Sequence, residues 1–176
     1  MKHLPKILVL MFFVSSSAWA GLEMGQVPVR VELEGALGGH LDKSTWTSDE
    51  FKGKVSVVFY VDPDVKDLNN DASEALKKEK FSLEKYQSFG IINMAATWMP
   101  NIAISSALKV KQKRYPDTIY VRDCKKVLVE KWGISDDNSN VLAFDKEGRL
   151  IFRKDGKLGP EDIEKLLQVI REHLDD

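Results

Sequence analysis

Cysteine is almost absent from this chain. Cys124 is its single thiol, so no disulfide can close within one molecule and no pair of its own sulfurs can exchange electrons. Histidine is scarce too, and beyond the N-terminal segment only His40 and His173 are found, at a separation matching no zinc-site spacing. There is no Gly-rich phosphate loop and no Gly-x-Ser-x-Gly, and a nucleophilic triad would lack a placed histidine. No cofactor motif is therefore present. The longest apolar run, Ile7–Val14, has eight residues, against about 20 for a membrane span. Charge of one sign is lacking as well: 26 Lys+Arg face 27 Asp+Glu. That balance gives no global field for nucleic acid or an anionic membrane.

What is present begins with an export pattern. Lys2 and Lys6 precede Ile7–Val14, and small residues then lead to Ala18-Trp19-Ala20. A basic n-region, a short apolar core and an A-x-A site predict a signal peptide over residues 1–20, cleaved after Ala20. A retained N-terminal anchor helix is the alternative. Gly21, not cysteine, follows the cleavage site, which excludes attachment of a lipoprotein lipid there. The expected mature chain, residues 21–176, keeps 24 basic and 27 acidic residues and a formal charge of −3. No repeat or Pro/Gly/Ser linker divides it, and its length suffices for one core without staples. The expected location is the periplasm.

Val27, Val29, Val31 and Leu33 alternate with polar residues, predicting a half-buried strand, and Gly35, Gly38 and Gly39 predict a turn. Val55–Val61 reads as a buried central strand. Leu68, Ala72, Ala75 and Leu76 then fall at helical spacing, and Gly90–Ala96 forms a second apolar run. Pro100 is placed to open a helix that closes before Pro116. Thr118–Arg122 and Lys126–Glu130 read as short strands. Asn140–Phe144 and Arg149–Arg153 flank Asp145-Lys146-Glu147-Gly148 as a hairpin with Gly at the positive-φ position. Gly159-Pro160-Glu161-Asp162 starts a last helix, whose Ile163, Leu166, Leu167, Ile170 and Leu174 form one apolar stripe. The order is strand, helix, strand, helix, strand, hairpin, helix. It predicts an α/β thioredoxin-like three-layer sandwich, with a mixed central sheet and helices on both faces.

Thr45-Trp46 followed by Gly53-Lys54-Val55, Tyr86-Gln87, Tyr115-Pro116 and Trp132 occur in the order of a known family. The longest match is Val141–Arg149, continuing through Lys154-Asp155-Gly156 and Leu158 to Pro160-Glu161. Through these residues the chain resembles the YtfJ family of exported bacterial proteins. The resemblance implies a thioredoxin-type fold without Cys-x-x-Cys, and implies no active site.

Three chemical readings stand beside plainer ones. In a redox thioredoxin fold the thiolate sits at the junction after the central strand, with a resolving partner near it. Here that junction is Asp62-Pro63-Asp64-Val65-Lys66, and carboxylates there would raise a thiol's pKa. The proline expected just before the strand at Val141 is also replaced, by Asp137-Asn138-Ser139-Asn140. A one-cysteine peroxidase would have to use Cys124, read as lying in a turn between strands, where Arg122, Lys125 and Lys126 could lower its pKa. The plainer reading is an incidental free thiol. Asp67, Asn69, Asp71 and Ser73 start like a calcium loop, but Ala72 replaces the turn glycine and Lys78 stands where a bidentate Glu is needed. The plainer reading is a solvated loop whose Asn and Asp cap the next helix.

Lys109, Lys111, Lys113 and Arg114 read as a solvated helix face, or else as a patch for an anionic partner. Trp46, Trp98 and Trp132 read as core or packed rim. Trp98 stands apart because Thr97–Pro100 lies at a strand-to-helix junction. The expectation is a non-redox binding or accessory module rather than an enzyme, with an unidentified periplasmic protein or small ligand as partner. Its site is expected where open α/β sheets bind ligands, at the C-terminal ends of the central strands. That topology points to Asp62, Asp64, Lys66, Trp98, Ser139 and Asn140, with Cys124 as a possible reactive thiol.

Overall fold

Val55–Val61 (β4) is valine-rich because it is covered on both faces. Val55, Val57 and Val61 turn to one side of the sheet, and Val58 and Tyr60 to the other. The computed structural model describes residues 21–175, and the expected signal peptide lies outside the described residues. β4 pairs in parallel with Tyr86–Asn93 (β5) and antiparallel with Ser139–Phe144 (β7). β5 continues in parallel to Thr118–Asp123 (β6), and β7 in antiparallel to Leu150–Asp155 (β8). The edge beyond β6 is Gly38–His40 (β2). The six-stranded order is β2-β6-β5-β4-β7-β8, a mixed sheet; Glu32–Leu33 (β1) and Trp46–Thr47 (β3) pair separately.

Asn70–Glu79 (α1) and Pro160–Asp175 (α4) bury Ala72, Leu76, Leu166, Leu167 and Ile170 against one face. Asn101–Arg114 (α2) covers the adjoining part with Ile104 and Leu108. The opposite face is closed by Val127–Trp132 (α3), the β1–β3 pair and Phe51, which stacks on Phe144 at 4.6 Å between ring centroids. Each such fully buried aliphatic or aromatic side chain contributes about 1.5–3 kcal/mol. Helices on both sides of a mixed sheet make this the thioredoxin-like α/β sandwich that the pattern predicts.

Four local expectations are corrected. The segment Lys126–Glu130 is not a strand and is helical from Val127 onward. Lys126 turns the chain at a φ of 47°, and Leu128 and Trp132, spaced i and i+4, both reach the core. The β-branched Val127 and Val129 misled because the cap comes from Asp123, outside the local pattern. The Val27–Leu33 alternation yields strand only at Glu32–Leu33; Val27 and Val29 are exposed, while Val31 and Leu33 are buried. Gly38 and Gly39 form an edge strand rather than a turn, at positive φ. Trp46 and Trp132 are fully buried, but Trp98 is 89% exposed and packs into no core.

Candidate functional site

The register of the sheet builds one end of the molecule. Val61 lies opposite Ile92 of β5 and Ser139 of β7, so Asp62, Asn93 and the loop before β7 converge just past the strand ends. The Asp62 backbone N–H donates to Asn138 O at 2.9 Å, and its carboxylate accepts from the Asp64 amide at 2.8 Å. Pro63 then leads a single 3-10 turn, Pro63–Val65, where a redox member of this fold starts its helix. α1 begins only at Asn70. Asp62 is 4% exposed. Burial pushes its carboxyl pKa up, and the carboxylates of Asp64, Asp137 and Asp136 add to that against the Asp64 amide.

The β5–α2 loop closes on this turn, since Thr97 Oγ1 donates to Asp64 Oδ1 at 3.0 Å. On the other side, Asp136 accepts from Lys126 Nζ at 2.6 Å and Asn93 Nδ2 at 2.9 Å. These partners, Lys126 first, hold the Asp136 carboxyl below its usual range. Of the sequence-derived residues, Asp62, Asp64 and the loop carrying Trp98 thus come together, and Lys66 stands exposed just beyond the turn. Ser139 and Asn140 lie buried beneath them. Ser139 Oγ accepts from Asn69 Nδ2, and Asn140 Nδ2 donates to Ser135 O, while Asn140 Oδ1 is buried with no partner.

Asn69 explains why the calcium-like series does not converge. Its side chain is buried, donating to Ser139 Oγ and Gly156 O and accepting from the Leu158 amide. It makes no cap bond to α1, although it stands at the N-cap, so the expected capping role is also replaced. Among the described residues no group of three or more metal-ligating side chains is assembled.

Cys124 lies at the end of β6, in the turn into α3 rather than between two strands, and is half-buried. Burial pushes its thiol pKa up, and Asp123 does the same, while Arg122 and Lys125 pull against them. The expected lowering by neighbouring cations is outweighed by desolvation. Arg122 turns its Nη2 to His40 O at 2.7 Å.

Two groups here escaped the sequence reading. Asp123 is fully buried at the end of β6, accepting from the amides of Lys125, Val127 and Leu128 and from Tyr60 Oη. The sequence carried no capping signal for it, since Asp123 stands three residues ahead of the N-cap position, Lys126, and only Gly133 marks the end of the helix. Thr97 had no signal beyond its place in a junction loop.

Residues 25–173 match a family described as bacterial protein of unknown function (YtfJ_HI0045). Uncharacterized protein YtfJ of Escherichia coli (strain K12) is 29% identical, over 74% of this chain and 72% of its own. An uncharacterized protein of Haemophilus influenzae is 29% identical, over 97% of each chain. Among solved structures, a thiol-disulfide isomerase from Corynebacterium glutamicum superposes with a TM-score of 0.59 at 16% identity, covering 83% of this chain and 96% of that one. That likeness is one of fold. With the family pattern covering residues 25–173, nearly all those described, this chain belongs to the YtfJ_HI0045 family, and its own sequence carries the thioredoxin-like fold with a single cysteine and no Cys-x-x-Cys.

Proposed function

We propose that this chain is an exported periplasmic protein that uses a thioredoxin-type scaffold as a binding or accessory module, without dithiol redox chemistry. One observation carries the reading. At the turn after β4, where thiolate chemistry would need sulfur, the chain holds Asp62 and Asp64 in a closed hydrogen-bonded turn tied to Thr97. A thiol placed there would sit among carboxylates that disfavour its ionised form. The one cysteine is on another strand end, and its thiol is pushed towards the neutral form by burial. Export rests on Lys2, Lys6, Ile7–Val14 and Ala18-Trp19-Ala20.

The deciding test is the pH dependence of Cys124 alkylation in the folded protein, with peroxide challenge read by intact mass. An apparent pKa of about 8.5 or above, with no oxygen adduct, is the expected result. A value below about 7 together with a one-oxygen gain would make Cys124 a peroxidatic thiol and overturn the reading. Export is tested by the same mass measurement, since the protein recovered outside the cytoplasm should begin at Gly21.

A further inference from the structure

The turn joining β2 to β3, the end of β6 and one side of α2 border a half-open cavity of about 260 Å³, lined by Leu41, Lys43, Asn101, Ile102, Ser105, Lys109 and Arg122. Three of those residues are cations and none is an acid. Among the described residues no ion pair involves Lys43, Lys109 or Arg122. Two acids adjoin the lining residues in sequence and neither lines the cavity: Asp42 Oδ1 accepts from the amide and hydroxyl of Ser44, and Asp123 is fully buried, accepting from Tyr60 and the amides of Lys125, Val127 and Leu128. Three cations bordering one cavity with no carboxylate among its lining residues give that cavity a local positive field, which favours an anion there.

Two details sharpen this. The Arg122 side chain makes one hydrogen bond among the described residues, from Nη2 to His40 O, which leaves Nη1 uncommitted; its Nε–H is buried without an acceptor and lies out of a ligand's reach. A guanidinium with unused donors matches carboxylate or phosphate oxygens in pairs. Lys43 sits at a φ of 76°, a left-handed conformation that Gly or Asn adopts more readily. Lys43 thus stands on the cavity rim at a position where glycine would carry less backbone strain. The remaining wall is mixed: Asn101 and Ser105 are polar, and its apolar part is half-buried Leu41 with Ile102, which is 79% exposed to solvent. The volume is just below the range of about 300–1,000 Å³ for drug-sized ligands, so the occupant is small.

We propose that this cavity binds a small amphiphilic anion, a carboxylate or phosphate head on a short aliphatic chain. Arg122, Lys43 and Lys109 take the head, and Leu41 and Ile102 take the chain. The site is separate from the Asp62–Thr97 turn and goes beyond the binding role proposed above. Its test is independent of the thiol measurements, so either can fail alone.

The experiment is calorimetric titration of the full chain, as isolated from the cells that make it, at low salt, where surface charges are least screened. The probes are octanoate, octyl phosphate, octanol and inorganic phosphate. Saturable binding of octanoate or octyl phosphate is expected, and whichever binds more tightly identifies the head group. Lys43→Ala with Lys109→Ala removes two exposed side chains that hold no protein partner, so folding is retained, and affinity should fall about tenfold or more. Arg122→Lys keeps the charge but loses the fork, and should weaken binding as well. No saturable binding of either amphiphile would overturn the proposal. So would unchanged affinity in the double variant, octanol binding as tightly as octanoate, or inorganic phosphate binding as tightly as octyl phosphate.

Discussion

Tyr60, in the middle of the sheet, donates its hydroxyl to Asp123 at 3.1 Å, joining the end of β4 to the start of α3 through a fully buried carboxylate. Asp123 also takes the amides of Lys125, Val127 and Leu128. Burial raises the carboxyl's pKa, and those four donors oppose it. Asp123→Asn replaces one acceptor oxygen by an NH₂, leaving at least one of the amides of Lys125, Val127 and Leu128 facing another donor. The expected loss is about 2–4 kcal/mol by urea denaturation. Tyr60→Phe removes one bond and leaves the helix start intact, so its loss should be smaller, about 1–2 kcal/mol. Equal losses would show that α3 does not depend on the carboxylate.

The same burial sets the alkaline limit of stability. Burial raises the phenol pKa of Tyr60, Tyr86 and Tyr120, that of Tyr120 to about 12. The fold therefore holds these protons more tightly than the unfolded chain does. Their contribution is fully present below the unfolded value of about 10 and is lost as pH rises through the folded values. The midpoint of urea unfolding should thus change little from neutral pH to about 9 as far as these groups contribute, and fall steeply above about 10. Tyrosinate absorbance should rise together with unfolding. Full ionisation of the three phenols in a chain that remains folded would contradict their burial.

Sheet, hairpin and final helix were legible because their signals are local: the valines of β4, Gly148 between β7 and β8, and Pro160 with the i, i+3, i+4 stripe of α4. α3 was not, because its six residues carry strand-prone Val127 and Val129 and its cap is an Asp whose other partner is Tyr60, 63 residues away. At the candidate site, Asp62 and Asp64 could be named from their place after the central strand. The burial of Ser139 by Asn69 could not, since that contact spans 70 residues and depends on the register of β7. The cavity at Arg122 is formed by three separate segments, and the sequence places only Lys109 in a basic cluster.

Asn69 is expected to be the most sensitive residue of its loop despite looking like one more polar position in Asp67–Asp71. Its side chain satisfies the Leu158 amide and donates to Ser139 Oγ and Gly156 O. Asn69→Ala leaves the buried Leu158 N–H without an acceptor and should destabilise by about 2–3 kcal/mol. Hydrogen exchange at Leu158 should accelerate more than in the sheet. Asp71→Ala, at an exposed neighbour in the first turn of α1, should change stability by no more than about 0.5–1 kcal/mol. Comparable effects at both positions would remove the bridging role assigned to Asn69.

Gly38 marks the point where the sheet edge depends on the absence of a side chain. Its φ is 127°, and a Cβ there would lie 1.9 Å from Arg122 O, an atom of backbone that cannot swing aside. Gly38→Ala must therefore displace β2 from β6, in addition to straining a conformation that L-residues avoid. The expected cost is about 3 kcal/mol or more, as for other residues forced against buried backbone. The displacement has its own readout in the Cys124 amide, which donates to Leu37 O at 2.8 Å, next to Gly38. Its hydrogen exchange should rise sharply in Gly38→Ala while amides of β4 and β7 stay protected. Gly53→Ala serves as the control, since Gly53 also has a positive φ, 87°, but nothing lies within 4 Å of its would-be Cβ. Only backbone strain acts there, so the loss should stay near about 1–2 kcal/mol, and Cys124 exchange should not change. An equal loss of Cys124 protection in both variants would mean that general destabilisation, not the contact with Arg122, loosens the edge.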